Sequence, residues 1–276
     1  MAEPARVRIG PAAVNPFTCH PLNIAANIAL IDEASGGRAY LGLARGAWLD
    51  FAGITPEQPA AALREAFACV RHLLSRSTLP LPGGYFSLAG GDALRWTGIR
   101  PDIPFLLGSW GPRTLATCLP FIEEVKLGGT ANPAALRWAR ALLGEHEVGL
   151  VVGAVTVVAK DGAAARTRAR REVALYLPVV AELGPGLPLD PDLLARMRAA
   201  AARFDYAAAA ACVSDELLDL VCFSGTPQAV AAQALALFEA GAARVEFGTP
   251  HGLSEAEGLR LLGERVLPAI RAQSSM

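Results

Sequence analysis

The sequence predicts a parallel α/β fold, and three observations carry the prediction. Hydrophobic residues fill 53% of the 276 positions and charged residues only 18%, which suits strands buried on both faces beneath packed helices. Short apolar runs alternate with segments of helical period along the whole chain. Glycines and prolines sit at the junctions, where turns and helix starts need them. Alternation of this kind points to a parallel sheet or barrel.

Val7-Arg-Ile9 is the first strand signal and leads into a loop stiffened by Pro11 and Pro16. From Leu22 to Asp32, Ile24, Ile28 and Ile31 follow a helical period, and Ser35-Gly36-Gly37 supplies a left-handed stop. Ala39 to Leu43 reads as a short buried strand. Leu63, Phe67, Val70 and Leu74 mark a helix broken at Pro80 and Pro82, and Pro80 to Arg100 reads as an excursion loop holding a small hairpin. Strand signals resume at Ile103 to Leu107, Glu124 to Leu127 and Val148 to Val158, each followed by a helical segment. A long helical region, Ala163 to Asp219, carries the stripe Leu193, Met197, Ala200, Phe204. The chain closes with Asp219 to Pro227, a helix through Val230, Ala234 and Phe238, the strand Ala243 to Phe247, and a last helix on Leu259, Leu262, Val266 and Ile270. No linker-like tract divides the chain, so a single domain over residues 1–276 is expected.

A formal net charge of -1 gives no basic face for nucleic acid or an anionic membrane. Cys19, Cys69, Cys118, Cys212 and Cys222 are odd in number and scattered, with no metal-like pairing with the histidines; they read as buried thiols in a reducing cytoplasm. No apolar run reaches the roughly 18 residues that a membrane span needs. A cytoplasmic protein acting on a small molecule is expected, with no metal.

Five segments carry candidate chemistry. Gly10-Pro-Ala-Ala-Val-Asn-Pro16 is a strand end running into a rigid loop, which is either a plain turn or a ligand loop at the C-terminal end of a parallel strand. In Leu41-Gly-Leu-Ala-Arg-Gly46, followed by Ala47-Trp-Leu-Asp50, glycine permits close backbone approach and Arg45 suits an anion, although small residues also serve helix packing. Leu107-Gly-Ser-Trp-Gly-Pro-Arg-Thr114 reads as a helix start, where free N–H groups favour an anion. In Glu124-Val-Lys-Leu-Gly-Gly-Thr-Ala-Asn-Pro133, Lys126 is read as a snorkelling surface side chain rather than a phosphate ligand. Glu246 to Gly252 reads as the loop after the last strand. Thr226 and Pro227 suit an N-cap and first helical position, as His20-Pro21 suits a helix start.

Taken in order, these motifs resemble the luciferase-like flavin and deazaflavin oxidoreductases, most closely the deazaflavin-dependent methylenetetrahydromethanopterin reductase branch. The resemblance implies a TIM-type (β/α)8 barrel that transfers a hydride between coenzyme F-420, an 8-hydroxy-5-deazaflavin, and a small organic substrate, with FMN-dependent monooxygenase chemistry as the alternative. It implies a cofactor site built from Ala12, Ala13, Val14 and Asn15, with a non-proline cis bond between Ala12 and Ala13, from Arg45 and Gly46, from Trp110, Gly111, Arg113 and Thr114, and from Gly128, Gly129 and Thr130. It also implies a homodimer. Two departures stand out. The chain enters at what resembles the third strand, so about six parallel strands of an open barrel are expected, and the catalytic side chains are expected in the two absent units. Ala47 also stands where some relatives carry an acidic residue. A non-catalytic binding role is the third reading.

Overall fold

A computed structural model of the protein describes residues 7–47, 49–96, 98–183, 187 and 189–274; Trp48, within the Ala47 to Asp50 segment singled out above, lies outside them. The chain forms two compact units, one reaching Lys126 and including His146–Val148, the other made of Leu127–Glu145 and the residues from Gly149 onward.

In the first unit, residues 7–14 are held to the next strand by the isolated parallel bridges Ile9↔Ala39 and Val14↔Leu43. The sequence predicts a regular strand here, but Pro11 brings no N–H to the ladder. Helix α1 (Pro21–Ser35) starts where His20 Nδ1 accepts from Leu22 N and ends where Gly36 turns left-handed at φ 68°, because glycine carries no Cβ to clash in that conformation. Strand β1 (Leu41–Ala44) follows, then α2 (Pro59–Leu74). The excursion loop contains the predicted hairpin as an antiparallel bridge, Leu81↔Leu88. Strand β2 (Phe105–Gly108), α3 (Pro112–Cys118) and β3 (Glu124–Gly128) complete the series, and β3 ends in the second unit. The ladders β1–β2 and β2–β3 are parallel. Their outward side chains Leu41, Leu43, Phe105, Leu107 and Val125 are buried; Phe105 stacks against Phe67 of α2 and takes the Arg71 guanidinium over its ring at 3.8 Å.

One buried ion pair ties this unit together. Asp32, 3% exposed, accepts from Ala39 N at 3.0 Å and from Arg100 Nε and Nη2 at 3.0 and 2.8 Å. Burial by itself would raise the Asp32 pKa. The Arg100 bonds and the Ala39 N–H outweigh it and hold the carboxyl below its ordinary value.

The second unit contains α4 (Pro133–Leu143), β4 (Gly149–Val158), α5 (Gly162–Leu183), α6 (Pro191–Ala202), α7 (Tyr206–Ala211), α8 (Asp215–Val221), β5 (Cys222–Gly225), α9 (Pro227–Glu239), β6 (Arg244–Gly252), α10 (Glu255–Leu261) and α11 (Leu267–Ser274). Strand β4 pairs in parallel with both β5 and β6. Among the described residues the long helical region is divided into four helices, because Asp190, Asp205 and Ser214 each cap a new start. Two expectations need correction here. Met197 and Ala200 of the region's stripe are buried, but Phe204 is 77% exposed at φ 58° in the turn after α6. Finally, Thr249–Gly252 extends β6 instead of forming a loop, since β4 pairs with it as far as Gly252. The Thr226 cap holds: its Oγ1 accepts from Ala229 N, with Pro227 at the first helical position.

Candidate functional site

Successive side chains along a strand point to opposite faces, so the register of the first unit fixes what each face carries. Gly42, Leu106 and Glu124 share one rung on the inward face, and Ala44, Gly108 and Lys126 share the next. Barrel interiors are ordinarily filled with bulky branched residues. Here the rung nearest the C-terminal ends is glycine, alanine and a lysine, while every bulky residue of β1 and β2 except Leu106 faces the helices.

The segment that precedes β1 presses against this small face. A Cβ on Gly42 would lie 2.6 Å from Pro11 O and 3.0 Å from Ala12 Cα. A Cβ on Gly108 would lie 3.1 Å from Ala44 Cβ and 4.0 Å from Ala13 Cβ. Ala12, Ala13, Ala44 and Gly108 therefore converge on one shallow cradle with almost no side chain. Gly42 N donates to Pro11 O at 2.8 Å and Val14 N to Gly42 O at 2.9 Å, so the two bonds bracket Ala12 and Ala13. The Ala12–Ala13 peptide is cis, as the resemblance implied. Gly46, at φ 87°, brings its Cα so close to Asn15 that a Cβ there would meet the Asn15 side chain at 3.1 Å. Asn15 Oδ1 accepts from Phe17 N, Thr18 N and Thr18 Oγ1, which shapes the turn into α1. Arg45 is exposed beside it.

Two polar rungs cross the inward face. Arg8 Nη2 meets Glu124 Oε1 at 2.9 Å, with the Arg8 guanidinium 5.6 Å from the centre of the Tyr40 ring, and Lys126 Nζ donates to Ala12 O at 3.1 Å. In a flat sheet the bridged segment at residues 7–14 and β3 would stand about 14 Å apart, three spacings of roughly 4.8 Å. Contacts this short require the sheet to curl so that its small-residue face is concave. Lys126 is therefore not a snorkelling surface side chain as expected; it is half-buried and bonded across the concave face.

The remaining predicted residues fall into two groups. After β2, Gly111 is the extended N-cap of α3 and its N–H donates to Ser109 Oγ; Arg113 is exposed, Thr114 is half-buried, and the Trp110 side chain is 8% exposed, packed inward rather than offered to the loop surface. Gly128, Gly129 and Thr130 lie in the second unit. There Gly129 N donates to Gly153 O at 2.6 Å, and Thr130, 2% exposed, donates its hydroxyl to Leu220 O and accepts from Asn132 N. Their polar groups thus serve the entry to α4. His20 acts as a helix cap and packs edge-on against Phe86 at 5.5 Å, as expected of a helix-start residue.

Sequence reasoning missed Gly42, Ala44 and Gly108 as lining residues and the inward direction of Lys126. The signal was present. Glu124-Val-Lys-Leu alternates polar and apolar, and in a strand covered by helices outside, the polar face has only the interior to occupy.

The concave cradle of alanine and glycine at the C-terminal ends of parallel strands invites comparison with proteins of known family. The family model described as luciferase-like monooxygenase matches residues 1–244. The chain belongs to that family. A 5,10-methylenetetrahydromethanopterin reductase of Archaeoglobus fulgidus is 30% identical over 283 residues, covering 96% of this chain and 83% of that protein; one from Methanopyrus kandleri is 27% identical with the same coverage. The solved structure of the coenzyme F-420-dependent tetrahydromethanopterin reductase of Methanopyrus kandleri superposes with a TM-score of 0.85 at 25% identity, covering 95% of this chain and 83% of that one. Among the described residues this luciferase-like protein has the TIM-type α/β fold in six parallel strands, as expected, and its family is one of enzymes. Among the described residues no helix is long and apolar enough to cross a membrane.

Proposed function

We propose that this protein is an oxidoreductase that transfers a hydride between coenzyme F-420 and a small organic substrate, in the manner of the methylenetetrahydromethanopterin reductases. The observation that carries the reading is the side-chain-poor cradle of Ala12, Ala13, Ala44 and Gly108. A planar tricyclic ring needs a flat floor with nothing projecting from it, and a rung of alanine and glycine meets that need where a packed barrel core would not. The residues present therefore fit the group. Ala12, Ala13 and Val14 would lie under the ring, with Asn15 fixing the turn beside it. Gly46 and Gly111 would let backbone approach the phosphate-bearing side chain, and the exposed cations Arg45 and Arg113 suit its charge. When bound, the deazaflavin supplies the hydride chemistry; the chain's own residues supply position and electrostatics.

Titration of the purified protein with F-420 and, separately, with FMN tests the reading by absorbance and fluorescence. Saturable one-to-one binding of F-420, tighter than that of FMN, is expected. Preference for FMN would instead favour luciferase-like monooxygenase chemistry, and binding of neither would favour a non-catalytic role. The resemblance also supports a cytoplasmic homodimer, whose mass sedimentation equilibrium would report.

A further inference from the structure

We propose that Glu65 is a positioning residue for the cofactor: its carboxylate latches the tip of the excursion hairpin onto α2, and through that tip it fixes the turn that carries Asn15 beside the ring cradle. The inference rests on the reading above and adds to it a residue outside the cradle. The hairpin is short. Leu81 and Leu88 exchange two backbone bonds, at 2.9 and 2.8 Å, and a two-stranded ribbon by itself is marginal in water. Its tip, Gly83-Gly84-Tyr85-Phe86, therefore needs an anchor. Glu65, on the second turn of α2, supplies one: Oε1 accepts from Gly84 N at 3.2 Å, and Oε2 accepts from Tyr85 N at 2.6 Å and Phe86 N at 3.1 Å. A Cβ on Gly83 would lie 2.9 Å from Oε2 and 2.2 Å from Phe86 O, so the fit leaves no room for a side chain there. Burial by itself would raise the Glu65 pKa. The Tyr85, Phe86 and Gly84 N–H groups, with Arg64 nearby, outweigh it and hold the carboxyl below its ordinary value.

Phe86 carries the restraint onward. Its ring meets the His20 ring edge-on, with centroids 5.5 Å apart, and His20 is itself held at the start of α1 by the bond from Leu22 N to its Nδ1. The stretch between His20 and the cradle is stiff. Buried Pro16 and Pro21 bound it, and Asn15 Oδ1 accepts from Phe17 N, Thr18 N and Thr18 Oγ1 within it. Asn15 in turn lies against Gly46, where a Cβ would meet its side chain at 3.1 Å. One contiguous series of contacts runs from α2 through the hairpin tip and the α1 start to the turn that borders Ala12 and Ala13. Coupling along such a series is reciprocal: what the latch does for the cofactor, the bound cofactor does for the latch.

Amide-resolved hydrogen exchange and F-420 titration of the wild type, Glu65→Ala and Phe86→Leu test the proposal. In Glu65→Ala the Gly84, Tyr85 and Phe86 amides should exchange about tenfold faster or more, since each loses a charge-assisted bond. The Phe17 and Thr18 amides should follow, while the amides of α2 keep their wild-type rates. F-420 should bind this variant about fivefold more weakly, the lower end of typical coupling, and saturating F-420 should slow exchange at the wild-type tip by the same factor. Phe86→Leu should leave the Gly84 and Tyr85 amides protected but remove the effect of F-420 on them. Unaltered F-420 affinity in Glu65→Ala despite a freed tip would overturn the proposal and leave the proposed function standing. So would faster exchange throughout α2, the mark of a merely structural residue, or unchanged exchange at Phe17 and Thr18. Failure of the wild type to bind F-420 or FMN would instead sink both together.

Discussion

Gly108→Val sets stability and binding against each other. Gly108 has no positive φ, so valine is allowed there by the backbone, and the substitution removes the entropic penalty of glycine in a strand, about 0.5–1 kcal/mol. The new Cβ would stand 3.1 Å from Ala44 Cβ, close enough that one of them must move by a few tenths of an ångström, at a cost of about 1 kcal/mol. The two terms nearly cancel, and the melting temperature should change by no more than a few degrees. Binding behaves differently. The valine methyls would occupy the space above the rung, lifting a ring from its floor and uncovering roughly 100 Å² of apolar contact, which at about 25 cal/mol per Å² is about 2.5 kcal/mol, or roughly 70-fold in affinity. Differential scanning fluorimetry and an F-420 titration on the same preparation read both quantities. If Gly108→Val binds the deazaflavin as tightly as the wild type, the cradle is not where the ring sits.

Other expectations follow from the same geometry. Ala13→Trp should abolish cofactor binding with the fold retained, because Ala13 is exposed and its Cβ faces the Gly108 rung; circular dichroism beside the titration checks both halves. Asp32→Ala should cost about 3 kcal/mol in urea unfolding, since it strands the Arg100 guanidinium at a part-buried site and orphans Ala39 N–H. Because the Asp32 pKa is held below its ordinary value of 3.8, that stabilisation is complete above the ordinary carboxylate range and is lost as pH falls through the lower folded value; the mutant's deficit should shrink at acid pH. Alkylation of the native protein should mark Cys19 and Cys212 and spare the buried Cys69, Cys118 and Cys222, whose thiols burial pushes up, to about 11 for Cys69 and about 12 for Cys118. Peptide mass mapping reads the pattern.

Local signals in the sequence were enough to locate most elements. The double glycine after Ser35 and the His20-Pro21 and Thr226-Pro227 starts each produced the cap they suggested, because capping is decided within a few residues. Apolar runs from Phe105 and Gly149 became strands for the same reason. What sequence did not reveal depends on register. Whether Lys126 points at solvent or across a concave sheet is settled by which rung it joins, and pairing with Gly108 is not encoded near either residue. Thr130 is a similar case: Gly-Gly-Thr suggests a ligand loop, yet its hydroxyl is taken by Leu220, ninety positions away. Composition also misled in the alanine-rich region after Ala163, where helical periodicity runs on through Arg203 and Phe204 although the chain turns there.

The two polar rungs across the concave face also have a consequence for biosynthesis. Arg8 and Glu124 are 116 positions apart and Lys126 is 114 from Ala12, so the cradle has no closed form until β3 has left the ribosome. At about 5–20 residues per second, the bridged segment at residues 7–14 waits roughly 6–23 s for its partner. During that interval Val7 and Ile9, still half exposed in the finished unit at 56% and 44%, are an uncovered apolar edge on a nascent chain. A translational pause between Pro112 and Glu124 would lengthen the exposure and should increase chaperone association and inclusion-body yield, even though it alters no residue of the product.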